Sequence, residues 1–313
     1  MTQTATLTSA QTEQLVPARP LAAGLQLAWL TLREPADAAA RSRRLITIAA
    51  DLLAGAPDRP AIIHDLGAGS GSMMRWAAPL LPGPQHWVLH DRDPDLLAAA
   101  TTPGPGVTVE TRLGDLADVD PAQFGDASLI TASALLDMFT ADRLDRLLAT
   151  VAQARCPVLI ALSVTGRASL DPAEPEIDDR FAWAFDDHQR RLLPDADGRG
   201  PDHRLGPDAA ERAAARLTAA GLTVTMAATP WRLDSVSDAG RDLLGAWLDG
   251  WVAAAVEQQP DLAGLLPGWL ERRHAQLAAG RLRAVIPHAD LLAVPLIGPH
   301  PEQPLNPAAG CLV

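Results

Sequence analysis

Hydrophobic positions change their period several times along the chain. After a polar stretch over residues 1–18, an apolar patch runs from about Leu21 to Leu32 and carries Trp29. Pro35 precedes a segment, Ala36 to Leu53, in which Leu45, Ile48, Ala49, Leu52 and Leu53 recur at helical spacing. Arg41, Arg43 and Arg44 mark its early turns, and Gly55-Ala56-Pro57 is its stop signal. The pattern predicts a helical N-terminal cap over residues 1–58, which covers a sheet or closes over a ligand.

From residue 59 short apolar runs alternate with helical ones. Strands are predicted at Ala61–Leu66, His86–His90, Val107–Thr111, Ala127–Ala132 and Val158–Leu162. A helix follows the first strand to about Leu80, another spans Asp95–Ala100, and a third, Thr140–Ala154, sets Leu144, Leu147, Leu148 and Val151 on one face. Apolar strands alternating with helices imply a parallel sheet covered on both faces. In such a sheet the ligand crevice lies at the carboxyl ends of the strands.

After the fifth strand the rhythm breaks. Residues 164–207 are rich in Pro, Asp and Gly, with one helical piece at Ile177–Leu193. A helix at Pro207–Ala220 and a sixth strand at Leu222–Ala227 follow. Ser235–Val256 and Leu262–Ala279 then read as a helical hairpin split by Pro260, with Trp247 and Trp251 on one face as core or as a dimer surface. His288–Val294 is a seventh strand. The expected organisation is a cap at 1–58, a core at 59–235, a hairpin insertion at 236–285, and the last core strand with a tail at 286–313.

Composition narrows the class. With 48% apolar and 20% charged residues the chain buries a sizeable core, and its net charge of −12 argues against nucleic acid or an anionic membrane as partner. Cys156 and Cys311 form no disulfide framework. The first residues have no basic head and no apolar block, so no signal peptide is expected, and the reading is a cytoplasmic protein. No histidine or cysteine spacing suits a metal, and none is expected.

The most informative stretch is His64-Asp65-Leu66-Gly67-Ala68-Gly69-Ser70-Gly71-Ser72. Glycines at a strand-to-helix turn let a ligand approach the backbone and the helix N-terminus. A dinucleotide fingerprint requires a glycine where Ser72 stands. The chain has no lysine, which excludes a P-loop and a lysine Schiff base. Asp91 closes the second strand, where a carboxylate can take both hydroxyls of a ribose; an NAD site places an acid there too. Asp115, followed by Leu116, comes after the third strand and is either a turn residue or a reader of a purine edge.

Taken together, Asp65-x-Gly67-x-Gly69-x-Gly71, Asp91 and Asp115-Leu116 resemble three successive motifs of the class I S-adenosylmethionine-dependent methyltransferases. The resemblance spans roughly residues 59–163, plus the two last strands. It implies a doubly wound, seven-stranded, mostly parallel α/β sheet, here with the N-terminal cap and the hairpin insertion. It implies S-adenosyl-L-methionine as cofactor, with Asp65, Gly67 and Gly69 at the methionyl end, Asp91 on the ribose and Asp115 on the adenine. Ala68, Gly71, Arg92, Leu116 and Ser133 complete the expected cofactor set. His64 departs from the family, which more often has an apolar residue there.

The resemblance implies methyl transfer to a small-molecule acceptor. A non-methylating user or binder of the same cofactor is the alternative, and an NAD(P)-dependent oxidoreductase a more distant one. Ser133 to Phe139 lacks the Pro-Pro-aromatic run of enzymes that methylate nucleic-acid amino groups. Asp137 in that run is a helix cap or a base. Further on, His188 is a candidate general base and Arg190 a candidate anchor for an anionic substrate group, against a solvated helix in which Asp186 and Asp187 pair with Arg190 and Arg191. His288 sits where the last strand, if antiparallel, begins at the crevice. A homodimer is left open.

Overall fold

The structure, a computed structural model, describes residues 23–55, 59–193 and 201–296. The polar N-terminal stretch, Ala56, Pro57 and the proline-rich tail with Cys311 lie outside the described residues.

Helices α1 (Ala23–Ala40) and α2 (Arg43–Leu53) lead into strand β1 (Ala61–Leu66), helix α3 (Ser72–Ala77) and strand β2 (Gln85–Asp91). Helix α4 (Pro94–Ala98), strands β3 (Val107–Leu113) and β4 (Leu129–Ser133), helix α5 (Ala141–Gln153) and strand β5 (Val158–Val164) complete the alternating part. Next come strand β6 (Ser169–Asp171), helix α6 (Pro175–Gln189), short strands β7 (Leu192–Leu193) and β8 (Asp202–His203), and helix α7 (Ala209–Ala219). The last elements are strands β9 (Leu222–Ala228) and β10 (Trp231–Asp234), helices α8 (Asp238–Gln258) and α9 (Leu266–Ala278), and strands β11 (Arg283–Ile286) and β12 (His288–Pro295).

Seven strands form one sheet in the order β3-β2-β1-β4-β5-β12-β9. Neighbours from β3 to β5 are parallel, and β12 runs antiparallel to both β5 and β9. This is a doubly wound, Rossmann-like α/β fold, with a helical cap before it and a helical hairpin before its last strand. The strand order reverses between β1 and β4, so the crevice opens beyond their carboxyl ends. Side chains alternate across the sheet: Leu129 and Leu159 join the buried cluster under α2 and α3, while Ile130 and Ile160 join the one under α5 and α7. The helical face expected for α5 is the buried one.

The cap breaks at a different place from the one the sequence suggests. Pro35 lies inside α1, and the chain turns instead at Arg41-Ser42. Ser42 caps α2: its Oγ accepts from the Leu45 amide at 3.3 Å, and its own amide donates to Asp290 Oδ2 at 2.7 Å. Asp290 comes from β12 and also accepts from the Leu162 amide and the Thr229 hydroxyl, so the break is set by a contact 248 residues away in sequence.

The segment after β5 and the C-terminal hairpin form one packed body. Phe181 of α6 stacks on Trp269 of α9 at 4.6 Å, and Trp247 stacks on Trp251 of α8 at 5.4 Å. Both Trp247 and Trp251 are buried within the chain. Asp178 accepts from Trp269 Nε1 at 2.9 Å and from the fully buried Arg273 at 2.5 Å. β6, β10 and β11 add a three-stranded sheet that periodicity did not reveal, because each run is only three or four residues long. No helix among the described residues is long and apolar enough to cross a membrane.

His64 and His90 occupy adjacent strands one residue before Asp65 and Asp91. His64 Nδ1 and His90 Nε2 share a hydrogen bond of 2.9 Å, with the Phe124 ring edge-on to His64 at 5.1 Å. Burial pushes both imidazoles down, each to about 4. The unfolded chain therefore binds more protons than the native one between pH 6.5 and 4, and stability falls as pH drops through that window. Urea unfolding followed from pH 7 to 4 should show a shallower loss in the double variant His64→Leu/His90→Met. The slope that remains belongs in part to His288, whose burial likewise holds it at about 4. An unchanged slope would mean that the pair titrates normally in the native state.

Candidate functional site

A cavity of about 920 Å³ lies beyond the carboxyl ends of β1, β2, β3 and β4 and beneath α1. Its floor is the turn from β1 into α3. Gly67 has φ +64°, and a Cβ there would stand 2.8 Å from Leu135 Cδ1, so a larger residue would strain the backbone and displace the Leu135 side chain. Gly69, at φ +53°, directs its amide to Asp91 Oδ2 at 2.7 Å. Oδ1 of the same carboxylate accepts from the Asp93 amide at 3.0 Å. Asp91 is thus fixed by the backbone of two loops, and an ionised carboxylate has about four acceptor positions, so others remain for a ligand.

Asp65 is almost wholly buried at the end of β1. Its Oδ1 accepts from the Thr131 hydroxyl at 2.7 Å, while Oδ2 has no hydrogen-bond partner. Burial pushes its carboxyl up to about 7, against the pull of Thr131 and Arg41. Asp115, past β3, accepts from the Ala117 amide at 2.9 Å and from Arg143 Nη2 at 3.0 Å. Burial alone would raise that carboxyl; the Ala117 amide and Arg143 outweigh it and hold it below the usual range.

The roof is α1, which contributes Gln26, Trp29, Leu30, Arg33 and Asp37 to the cavity wall. Two arginines bind the roof to the floor. Arg75 of α3 pairs with Glu34 of α1 at 2.5 Å and donates to the Ser70 carbonyl in the glycine turn. Arg41, just past α1 and 3% exposed, donates to the Ser72 carbonyl at 3.3 Å, to Ser72 Oγ at 3.1 Å and to Ser133 Oγ at 3.0 Å. Its Nε has no partner. Arg33 is held by Asp37 in a fork of bonds between 3.0 and 3.3 Å and lies 4.7 Å over the Trp231 ring.

Of the residues the sequence nominated for a cofactor, Asp65, Gly67, Ala68, Gly69, Asp91, Arg92, Asp115, Leu116 and Ser133 line this one cavity. Gly71 does not; it caps α3 and donates its amide to the Ala68 carbonyl at 2.9 Å. The three catalytic candidates fare differently. His188 faces α8, with Nε2 3.5 Å from Glu257, and contacts Arg191 through Nδ1 at 3.2 Å. Arg190 is filled by Asp186 at 2.6 Å and Asp208 at 2.9 Å, so its fork is spent on structure. Asp137 does not cap α5, which Thr140 caps instead. It is not among the residues lining the cavity, although Leu135 and Met138 on either side of it in the chain are, and burial raises its carboxyl despite Arg33, Arg204 and Arg191 nearby. His288 does begin an antiparallel strand, and is packed against Trp231 at 5.5 Å.

Sequence reasoning missed Arg41, Arg33, Asp37, Arg143 and Arg204 as wall residues. Arg41 read as one of three arginines marking the early turns of a helical run; the unexpected break in the cap is what turns it inward.

No family model and no curated protein matches the chain. Solved structures with a similar arrangement include the YcgJ protein from Bacillus subtilis, 12% identical, with a TM-score of 0.45 over 80% of this chain and 99% of that one. A provisionally assigned type II methyltransferase from Anaeromyxobacter dehalogenans is 17% identical, with a TM-score of 0.46 over 82% of this chain and 96% of that one. The cyclopropane synthase MmaA2 from Mycobacterium tuberculosis is 16% identical, with a TM-score of 0.40 over 79% and 82%. Likenesses at this level concern the arrangement of sheet and helices only.

Asp65 gives the site a measurable signature. Its native carboxyl keeps a proton up to about 7, against 3.8 for the ordinary group. The native state binds more protons than the unfolded one across that window, so this group's contribution to stability declines as pH rises from 4 to 7. Urea unfolding of Asp65→Asn at pH 5 and pH 8 should lack that decline, gaining relative to the parent at pH 8. Equal pH dependence in both proteins would contradict the assignment.

Proposed function

We propose that the protein transfers a methyl group from S-adenosyl-L-methionine to a small-molecule acceptor. The observation that carries this reading is the clasp between the Gly69 amide and Asp91, which joins the glycine turn and the acid of β2 into one rigid rim. The residues present suit the cofactor. Gly67 and Gly69 leave room over the backbone, and the orphaned Asp65 Oδ2 accepts from an ammonium. Arg41, the buried cation across the turn, complements an α-carboxylate. The free positions of Asp91 take ribose hydroxyls, and Asp115 with the backbone at Leu116 reads the adenine edge; Ala68, Arg92 and Ser133 complete the wall.

When bound, the cofactor supplies a methyl group already activated on a sulfonium. What the chain adds is position and exclusion of water. α1 closes the top through Trp29 and Leu30, and the cross-links from Arg41 and Arg75 keep it there. The cavity volume falls within the range of about 300–1,000 Å³ typical of small-molecule sites. Asp137 is the side chain we assign to accept a proton from the acceptor; its raised carboxyl titrates closer to neutrality, as a general base requires.

Calorimetric titration with S-adenosylhomocysteine should show a single site, and Asp91→Ala should weaken it by about 100-fold, the loss of roughly 3 kcal/mol of charge-assisted hydrogen bonding. Undiminished affinity in that variant would remove the proposal. With an acceptor in hand, Asp137→Asn should lower kcat while leaving cofactor affinity in place. Mass analysis of the spent cofactor should give S-adenosylhomocysteine; methylthioadenosine would assign a different use of the sulfonium.

A further inference from the structure

The cavity extends past the glycine turn and the three acids. This second part is walled by Trp29 of α1, Met138 and Phe139 after β4, Leu193 of β7 and Arg204 after β8. Four of these five are apolar or aromatic. Arg204 is the exception, and it is held firmly by its backbone. Its amide donates to the Arg191 carbonyl at 3.2 Å, it bridges to Thr140, and the next amide, Leu205, donates to the Phe139 carbonyl at 2.8 Å. The residue's backbone is therefore fixed beside the segment after β4.

Among the described residues the Arg204 side chain makes no hydrogen bond and no ion pair, and its Nε is buried without a partner. Arg92, which is exposed, likewise has no such partner among the described residues, but the three other arginines on the wall are engaged. Arg33 is filled by Asp37, Arg143 bonds Asp115, and Arg41 bonds Ser72 and Ser133. The charged groups acting on Arg204 are two arginines, Arg191 and Arg92, against the single carboxylate Asp137. In a chain of net charge −12, this part of the cavity carries an excess of positive charge. A planar fork with no partner among the described residues, half-buried beside apolar walls, matches the geometry of a carboxylate or phosphate, which it binds through two parallel bonds. Local positive charge of this kind also draws anions toward the cleft.

We propose that Arg204 is the docking point for an anionic oxyacid group, a carboxylate or a phosphate, on a methyl acceptor whose apolar body lies against Trp29, Met138, Phe139 and Leu193. The inference rests on the methyltransferase reading for the role of this ligand, and it moves the anchor expected of Arg190 to a different arginine. Small aromatic probes test it: 4-hydroxybenzoate, phenyl phosphate and the neutral 4-hydroxybenzyl alcohol, titrated calorimetrically into the protein loaded with S-adenosylhomocysteine. At least one anion should bind ten or more times more tightly than the neutral probe, and the better of the two names the headgroup. Arg204→Gln should abolish that preference while S-adenosylhomocysteine affinity stays within about twofold, which also shows that the variant is folded. Arg204→Lys, which keeps the charge and loses the fork, should retain part of it. No anion preference, or a preference that survives in Arg204→Gln, would overturn the proposal and leave the cofactor reading intact. If S-adenosylhomocysteine does not bind at all, the cofactor reading fails, and the same titrations on the ligand-free protein still decide whether Arg204 selects anions.

Discussion

The site depends on one hydrogen bond between two loops that the sheet brings side by side. The Gly69 amide reaches Asp91 because β1 and β2 are parallel and in register, Leu66 opposite His90. The contact needs a residue at position 69 that accepts a positive φ, and a carboxylate rather than an amide, so that the charge-assisted bond holds the turn open against its own flexibility. Once it forms, the glycine turn is a fixed edge rather than a mobile loop. The Asp93 amide completes the fixation from the other side, and the Asp93 side chain caps α4 by accepting from the Asp95 and Leu96 amides.

Among the described residues, Asp65 Oδ2 and Arg41 Nε are buried beside this edge without a partner, as are Arg143 Nε and Arg204 Nε farther along the wall. Each costs stability, on the order of 1–3 kcal/mol for an unpaired buried group. Asp65 and Arg41 are an acid and a base, and both line the same cavity. A fold optimised for stability alone would pair or remove them, and such departures are expected at functional sites. In the proposed reading, the ammonium and the carboxylate of the cofactor's methionyl end meet these two groups. The backbone tells the same story at Ala134, which adopts φ +51° directly after β4 where it borders the cavity. Stability and function therefore pull in opposite directions around the crevice, and the packed body of α6, α8 and α9 supplies rigidity away from it.

Much of this was legible in the chain itself. The seven strands of the main sheet follow from apolar runs bounded by glycine, proline and aspartate, and Asp65, Gly67, Gly69, Asp91 and Asp115 are recognisable because their chemistry is tied to strand ends. What was hidden depends on contacts distant in sequence. The break at Arg41-Ser42 is dictated by Asp290, and with it the inward turn of Arg41. Pro35 was misleading, since the helix carries it without stopping. His188 and Arg190 drew attention through their local mix of aromatic, imidazole and guanidinium groups. Only the packing of α6 against α8, and the salt bridge to Asp208, show those groups engaged elsewhere. Arg204 gave no local signal at all; its significance lies in the partner it does not have.

The most direct measurement is a crystal structure of the protein with S-adenosylhomocysteine. The account predicts the nucleoside lying across the Gly67–Gly69 turn under α1, with ribose hydroxyls on Asp91, the amino group on Asp65 Oδ2 and the carboxylate toward Arg41. A complex in which the ligand sits outside this cavity, or in which Asp91 keeps only its two amide partners, would contradict it.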